Sequence, residues 1–291
     1  MKRQRIAITF DVDMVDYVGR GRSFDEMDDC FPIIQKILDK FPHVRTTWFI
    51  RIDAQMAAMF GRPDFLFFKH ADKIEWLRAR GHQIGWHHHA YKRKGDLWVQ
   101  ETTPEIVFPD IQKFGHIARK LDIFVARMGW GWQTNESMQI LDKLGFRVDS
   151  SCIPRPNYPW ETVVKDWSLA SPTPYKPSKE NYQIAQEPSL GLLEIPISTT
   201  HISAPNDTVS MVRYINLAYK ESVFGKAFTR LLDQDLIVTI THPYEIVRNG
   251  RALHPLLSFS AEALEQNLKL LVANNLEFVT LGDVESNFSG P

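Results

Sequence analysis

The chain has 291 residues, 34 of them basic and 35 acidic, for a formal net charge of −1. That length suits one large α/β domain or two ordinary ones, and the even charge balance excludes a global electrostatic footprint for nucleic acid or an anionic membrane. The two cysteines, Cys30 and Cys152, are too few for a disulfide framework and have no metal-ligand spacing of their own, which points to a reducing compartment.

The opening MKRQR is basic, but the apolar run behind it covers only residues 6–10 before Asp11 and Asp13 break it, which does not read as a secretory signal. No run approaches the ~20 apolar residues of a membrane span. The expectation is a cytoplasmic protein without a transmembrane segment.

Residues 6–10 (IAITF) are short, apolar and partly β-branched and run into Asp-Val-Asp, the pattern of a buried parallel strand ending in polar residues. From Asp29 the apolar residues Phe31, Ile34, Ile37, Leu38 and Phe41 fall at helical spacing, and residues 46–50 (TTWFI) form the second strand. Residues 69–80 predict a helix that stops at Gly81, before a short strand, HQIGW, and three consecutive histidines, His87, His88 and His89. Residues 104–121 predict another helix, and the strand 123–126 delivers Arg127.

A helix over 136–144 ends at Gly145 and leads to the strand 146–149, which closes on Asp149. The alternation then lapses. Residues 152–191 hold Pro154, Pro156, Pro159, Pro172, Pro174, Pro177 and Pro188, far longer than an ordinary connection, and read as a functional loop or lid leaving one domain that spans 1–291. Strand pattern returns over 192–197. Helices are expected over 209–217 and 224–232, a strand over 236–240 running into His242, a helix over 263–272 and a last strand over 276–281.

Seven or eight apolar strands alternating with helices predict an α/β fold, a distorted (β/α) barrel with about seven parallel strands. In such a barrel the strand C-terminal ends share one face, where active sites sit, so Asp11, Asp13, the histidine cluster, Arg127, Asp149 and His242 gather there. Side chains two apart on a strand point the same way, which pairs Asp11 with Asp13 and, on an extended segment, His87 with His89 while His88 points away. Carboxylate with imidazole suits zinc or another divalent transition metal.

The segments TFDVD, GHQIGWHHHAY, ARMGWGW, GFRVDSS and ITHP, in that order over residues 6–281, resemble the successive motifs of the polysaccharide deacetylase family, the NodB-homology carbohydrate esterases. The resemblance implies Asp11 as catalytic base oriented by Arg127, Asp13 and His87 as metal ligands, and His242 as general acid. Trp130 or Trp132 would line the substrate site. Two departures stand out: Tyr91 occupies the place of the usual second histidine ligand, and the usual adjacent aspartates are spread to Asp-Val-Asp. His89 is the expected replacement ligand, with a Tyr91 phenolate as the alternative. Asp149, Trp160 and Tyr91 are candidate substrate contacts, and Tyr158, Trp167 and Tyr175 on the long loop are contacts or anchors.

The implied activity is metal-dependent hydrolysis of an acetyl or formyl group from an amino sugar or glycoconjugate precursor. Alternatives are a metal-poor cyclic amide hydrolase resembling the allantoinases and a non-catalytic carbohydrate-binding protein.

Overall fold

A computed structural model describes residues 3–13, 25–158, 160–246, 256–257 and 261–289; Pro159 of the long loop lies outside them. β1 (Arg5–Val12) is followed by α1 (Asp25–Leu38), β2 (Thr46–Arg51), the short helices α2 (Ala54–Phe60) and α3 (Phe65–Lys69), α4 (Ala71–Ala79) and β3 (Gln83–His88). A hairpin of β4 (Tyr91–Lys94) and β5 (Leu97–Gln100) precedes α5 (Pro104–Lys120), β6 (Val125–Met128), α6 (Asn135–Lys143) and β7 (Val148–Asp149). Beyond the long loop come β8 (Leu193–Glu194), the antiparallel pair β9 (Thr199–His201) and β10 (Val212–Tyr214), α7 (Glu221–Thr229), β11 (Leu236–Thr241), α8 (Ala261–Ala273), β12 (Glu277–Phe278) and α9 (Leu281–Ser286).

Seven strands lie in the order β11-β1-β2-β3-β6-β7-β8, every neighbour parallel. β12 pairs with the start of β1, on the edge that β2 takes further along: Phe278 faces Ile6 and Thr46 faces Ile8. Among the described residues no strand pairs β8 with β11. Ser198 spans that seam instead, its backbone N–H donating to the Val238 carbonyl at 2.9 Å and its hydroxyl accepting from the Val238 N–H at 3.0 Å. The sheet is therefore the distorted barrel that the alternation predicts, with one seam made by irregular chain.

All six residues of β2 and of β11 are buried, as a parallel sheet covered on both faces requires. Alternate residues serve different layers. Ala7, Phe49, Val125, Val148, Leu193 and Val238 form one cluster, whereas Ile6, Ile8, Phe10, Trp48 and Ile50 pack with Phe31 and Ile34 of α1. The residues on the Ala7 side continue along β1 to Thr9 and Asp11, along β2 to Arg51 and along β6 to Arg127, so this face carries the polar strand ends.

Some local expectations change. Residues 209–217 are not helical: β10 pairs with β9, and Ile215 donates to the Ser198 carbonyl. Val209, Val212 and Ile215 lie at helical spacing, but all three are β-branched and suit an extended partner strand. The strand expected over 276–281 is only Glu277–Phe278, because Thr280 and Asp283 exchange capping hydrogen bonds that begin α9 at Leu281. The histidine-bearing strand runs on to His88 rather than stopping at Trp86; the helix expected over 69–80 is α4, Ala71–Ala79, with the short α3 before it.

Candidate active site

Five adjacent strands each deliver a polar residue to one rim. β11 leads into His242, β1 ends with Asp11 before Asp13, β2 closes on Arg51, β3 carries His87 and leads into His89, and β6 contributes Arg127. Arg51 pairs in register with His87, and His87 with Arg127. The rim opens into a cleft of about 280 Å³ lined by Asp11, Asp13, His87, His89, Arg127, Trp130, Lys165, His242, Tyr244 and Glu245, with Met128, Ile153, Ile197 and Ile240 among its apolar walls.

Arg127 is buried and fully engaged. Its Nη1 donates to Asp11 Oδ1 at 2.8 Å and to Thr9 Oγ1 at 2.6 Å, its Nε to the Ser150 carbonyl at 2.7 Å and its Nη2 to Ser150 Oγ at 2.8 Å, while the guanidinium lies 4.2 Å from the Phe49 ring centroid. The salt bridge immobilises one oxygen of Asp11; the other lies 4.0 Å from His87 Nε2.

Asp13, His87 and His89 converge. Asp13 Oδ2 is 3.4 Å from His87 Nε2 and 3.2 Å from His89 Nε2, and the two Nε2 atoms are 3.0 Å apart. His87 Nδ1 is 2.9 Å from the Arg127 carbonyl, which can only accept, so in the neutral ring Nδ1 carries the hydrogen and Nε2 turns its lone pair to Asp13 and His89. This carbonyl-oriented imidazole is the usual support of a metal-binding histidine. Burial, against the pull of Asp13, pushes His89 down to about 4, leaving it neutral at ordinary pH. Burial alone would raise Asp13, yet the imidazoles of His89 and His87 hold it well below the carboxylate range. One carboxylate oxygen and two imidazole nitrogens within 4.8 Å of one another form a donor set that fits a divalent metal. His88 points elsewhere, its Nδ1 3.5 Å from the Ile52 carbonyl and its ring near Trp86 and Phe114.

Tyr91 lies behind His89, the two rings parallel within 8° at 5.0 Å, and Arg51 sits 5.2 Å from the tyrosine centroid. Arg51, fully buried, donates to Asp53 Oδ2 at 2.7 and 2.6 Å and to Gln55 Oε1 at 2.7 Å, and its Nη1 reaches Asp13 Oδ1 at 3.5 Å. One Asp13 oxygen thus faces Arg51 and the other the histidines.

In the same cleft, Glu245 lies 3.3 Å from His242 Nδ1 and is itself held by the His242 N–H at 2.9 Å and the Asn216 amide at 2.8 Å. Burial works against a charged imidazole there, but Glu245, with Asp11 and Asp13 behind it, outweighs burial and pushes His242 up to about 9.

Of the aromatic candidates, Trp130 lines the cleft, held in the left-handed region at φ 65° in the turn Gly129–Gly131. Trp132 is buried in the core, since the turn sends the two tryptophans different ways. Asp149 does not reach the cleft: it is fully buried, accepting from Gln133 at 3.0 Å and Ser151 at 2.8 Å. Burial raises it, and burial followed by the charge of Asp149 drives the adjacent Glu194 well above its usual range. Trp160 is 57% exposed and stacks on Tyr158 outside the cleft, whereas Trp167 and Tyr175 are buried anchors of the long loop. Arg51, Glu245 and Lys165 were not singled out from sequence. Arg51 carries the signal that marked the others, a polar residue closing an apolar strand, and Glu245 follows His242 by three; Lys165, on an irregular loop, has none.

No family model matches the chain and no curated protein matches it. Among solved structures, a Mycobacterium smegmatis protein assigned as a polysaccharide deacetylase superposes with a TM-score of 0.56 at 15% identity, over 97% of this chain and 90% of that one. The chain shares the fold of that deacetylase. A 4-alpha-glucanotransferase of Thermococcus litoralis is similar at a TM-score of 0.55 and 12% identity, over 99% of this chain and 41% of that one. A family 4 carbohydrate esterase of Streptomyces lividans gives a TM-score of 0.45 at 9% identity, over 95% and 92%. The deacetylase-like barrel thus also serves a glucanotransferase, and the choice of chemistry falls to the cleft.

Proposed function

We propose that the chain is a metal-dependent hydrolase that removes an acetyl or formyl group from the nitrogen of an amino sugar or glycoconjugate precursor. The observation that carries this is the meeting of Asp13, His87 and His89 beside an Arg127-held Asp11, with His242 lining the same cleft. Glycosyl transfer between paired carboxylates is disfavoured, because Asp13 is engaged by two imidazoles and Asp11 by a guanidinium.

Asp13, His87 and His89 would hold the metal, zinc by the chemistry of the set, which leaves room for water and substrate. A bound divalent metal polarises an acyl carbonyl and lowers the pKa of bound water. Asp11, fixed through one oxygen, takes the proton of the attacking water with the other. Water adds to the acyl carbon, the carbon–nitrogen bond breaks, and His242 delivers its proton to the departing nitrogen, which is too basic to leave unprotonated. Trp130 offers a flat face to a sugar ring.

Acetate or formate release from N-acylated amino sugars tests the reading. Treatment with a chelator abolishes release and one equivalent of zinc restores it; release unaffected by metal removal would sink metal dependence. Gly129 supplies a subtler check. A Cβ there would overlap the His89 ring, so Gly129→Ala displaces a ligand while keeping all three. Its expected effect is a loss of about 10- to 100-fold in metal affinity by competition titration; unchanged affinity would show that His89 does not contribute.

A further inference from the structure

We infer that the sugar substrate carries an anionic substituent, a carboxylate or a phosphate ester, and that Lys165 receives it; this rests on the hydrolase reading above and names its substrate class. Lys165 lies on the irregular loop 152–191, yet its side chain lines the cleft and is only 14% exposed. Two anchors hold it there. The Gln100 side chain exchanges hydrogen bonds with the Val164 backbone at 2.9 and 2.7 Å, tying the loop to the β4–β5 hairpin. Trp167, 2% exposed, donates its indole N–H to the Gly131 carbonyl at 2.6 Å, tying it to the turn that presents Trp130.

The charges around the cleft leave Lys165 incompletely matched. Asp11 pairs with Arg127, Glu245 with His242, and Asp13 with the imidazoles and Arg51. The nearest acid to Lys165 is Glu161, at a long 3.7 Å, and Arg155 already holds both Glu161 oxygens at 2.6 Å. Burial, followed by the Arg155 charge, lowers the Lys165 pKa, while Glu161 raises it. The counter-ion of Lys165 is thus already taken up by a second cation, Arg155. A divalent metal on Asp13, His87 and His89 would add positive charge to the same cleft. An anion entering with the substrate would give Lys165 a charge-assisted hydrogen bond at low local dielectric.

Binding and turnover are measured on the zinc-loaded protein and on Lys165→Met and Lys165→Arg, with N-acetylglucosamine, N-acetylglucosamine 1-phosphate and N-acetylglucosaminuronic acid as probes. Binding is followed by tryptophan fluorescence, so it reads out even if no acyl group is released. At least one anionic sugar is expected to bind about tenfold or more tightly than the neutral sugar, and the preference should shrink with salt. Lys165→Met should bring the preference close to one, mainly through KM, and Lys165→Arg should retain it. That control separates Lys165 from attraction of anions to the metal. Whichever of the phosphate or carboxylate probe binds tighter identifies the group. Absence of binding by both anionic sugars, equal binding of neutral and anionic sugars, or a preference intact in Lys165→Met overturns the inference. Binding preference without acyl release would overturn the hydrolase reading alone.

Discussion

Asp11→Asn and His242→Ala are each expected to lower acyl release by about 10²- to 10⁴-fold, the usual contribution of a positioned general base or acid. Asn keeps the shape of Asp11 but cannot take a proton, and it leaves the buried Arg127 without its carboxylate, so a thermal melt must accompany the kinetics. For His242 the pH profile is the sharper test. With its pKa raised to about 9, His242 is protonated below that value, and release should fall as pH rises through about 9. Glu245 is the largest upward influence, so Glu245→Gln should move the descending limb down towards the ordinary histidine value of 6.5. The same pair contributes stability that is fully present below about 6.5 and is lost as pH rises through about 9. A profile indifferent to Glu245→Gln, or turnover surviving both substitutions, would remove His242 and Asp11 from these roles.

Metal affinity in His89→Ala should drop by at least about 100-fold, more than the loss expected from disturbing a supporting residue, while Tyr91→Phe should lie within a few-fold of the parent. Phe keeps the ring that stacks on His89 and the face presented to Arg51. The reverse result, affinity lost with the tyrosine hydroxyl and kept without His89, would make Tyr91 a phenolate ligand. His88→Ala should leave metal affinity alone and destabilise the fold by roughly 1–3 kcal/mol, because its ring is buried near Trp86 and Phe114.

By itself the sequence determined the barrel and several residues of its rim, Asp11, Asp13, His87, His89, Arg127 and His242. Apolar, β-branched strands such as residues 6–10 and 236–240, alternating with helices, are buried on both faces most economically in a parallel sheet, and their polar ends then share one side. Two-residue periodicity likewise separated His87 and His89 from His88, because strand geometry is local. Tertiary structure decided what depends on partners far away in the chain. Within residues 209–217, Val212–Tyr214 became strand because Thr199–His201 offered an edge, and Asp149 turned to Gln133 and Ser151, buried away from the cleft. The turn Gly129–Gly131 sent Trp130 outward to the cleft and Trp132 into the core. Lys165 reached the cleft through anchors at Gln100 and Gly131, contacts between segments 64 and 36 residues apart that no periodicity encodes.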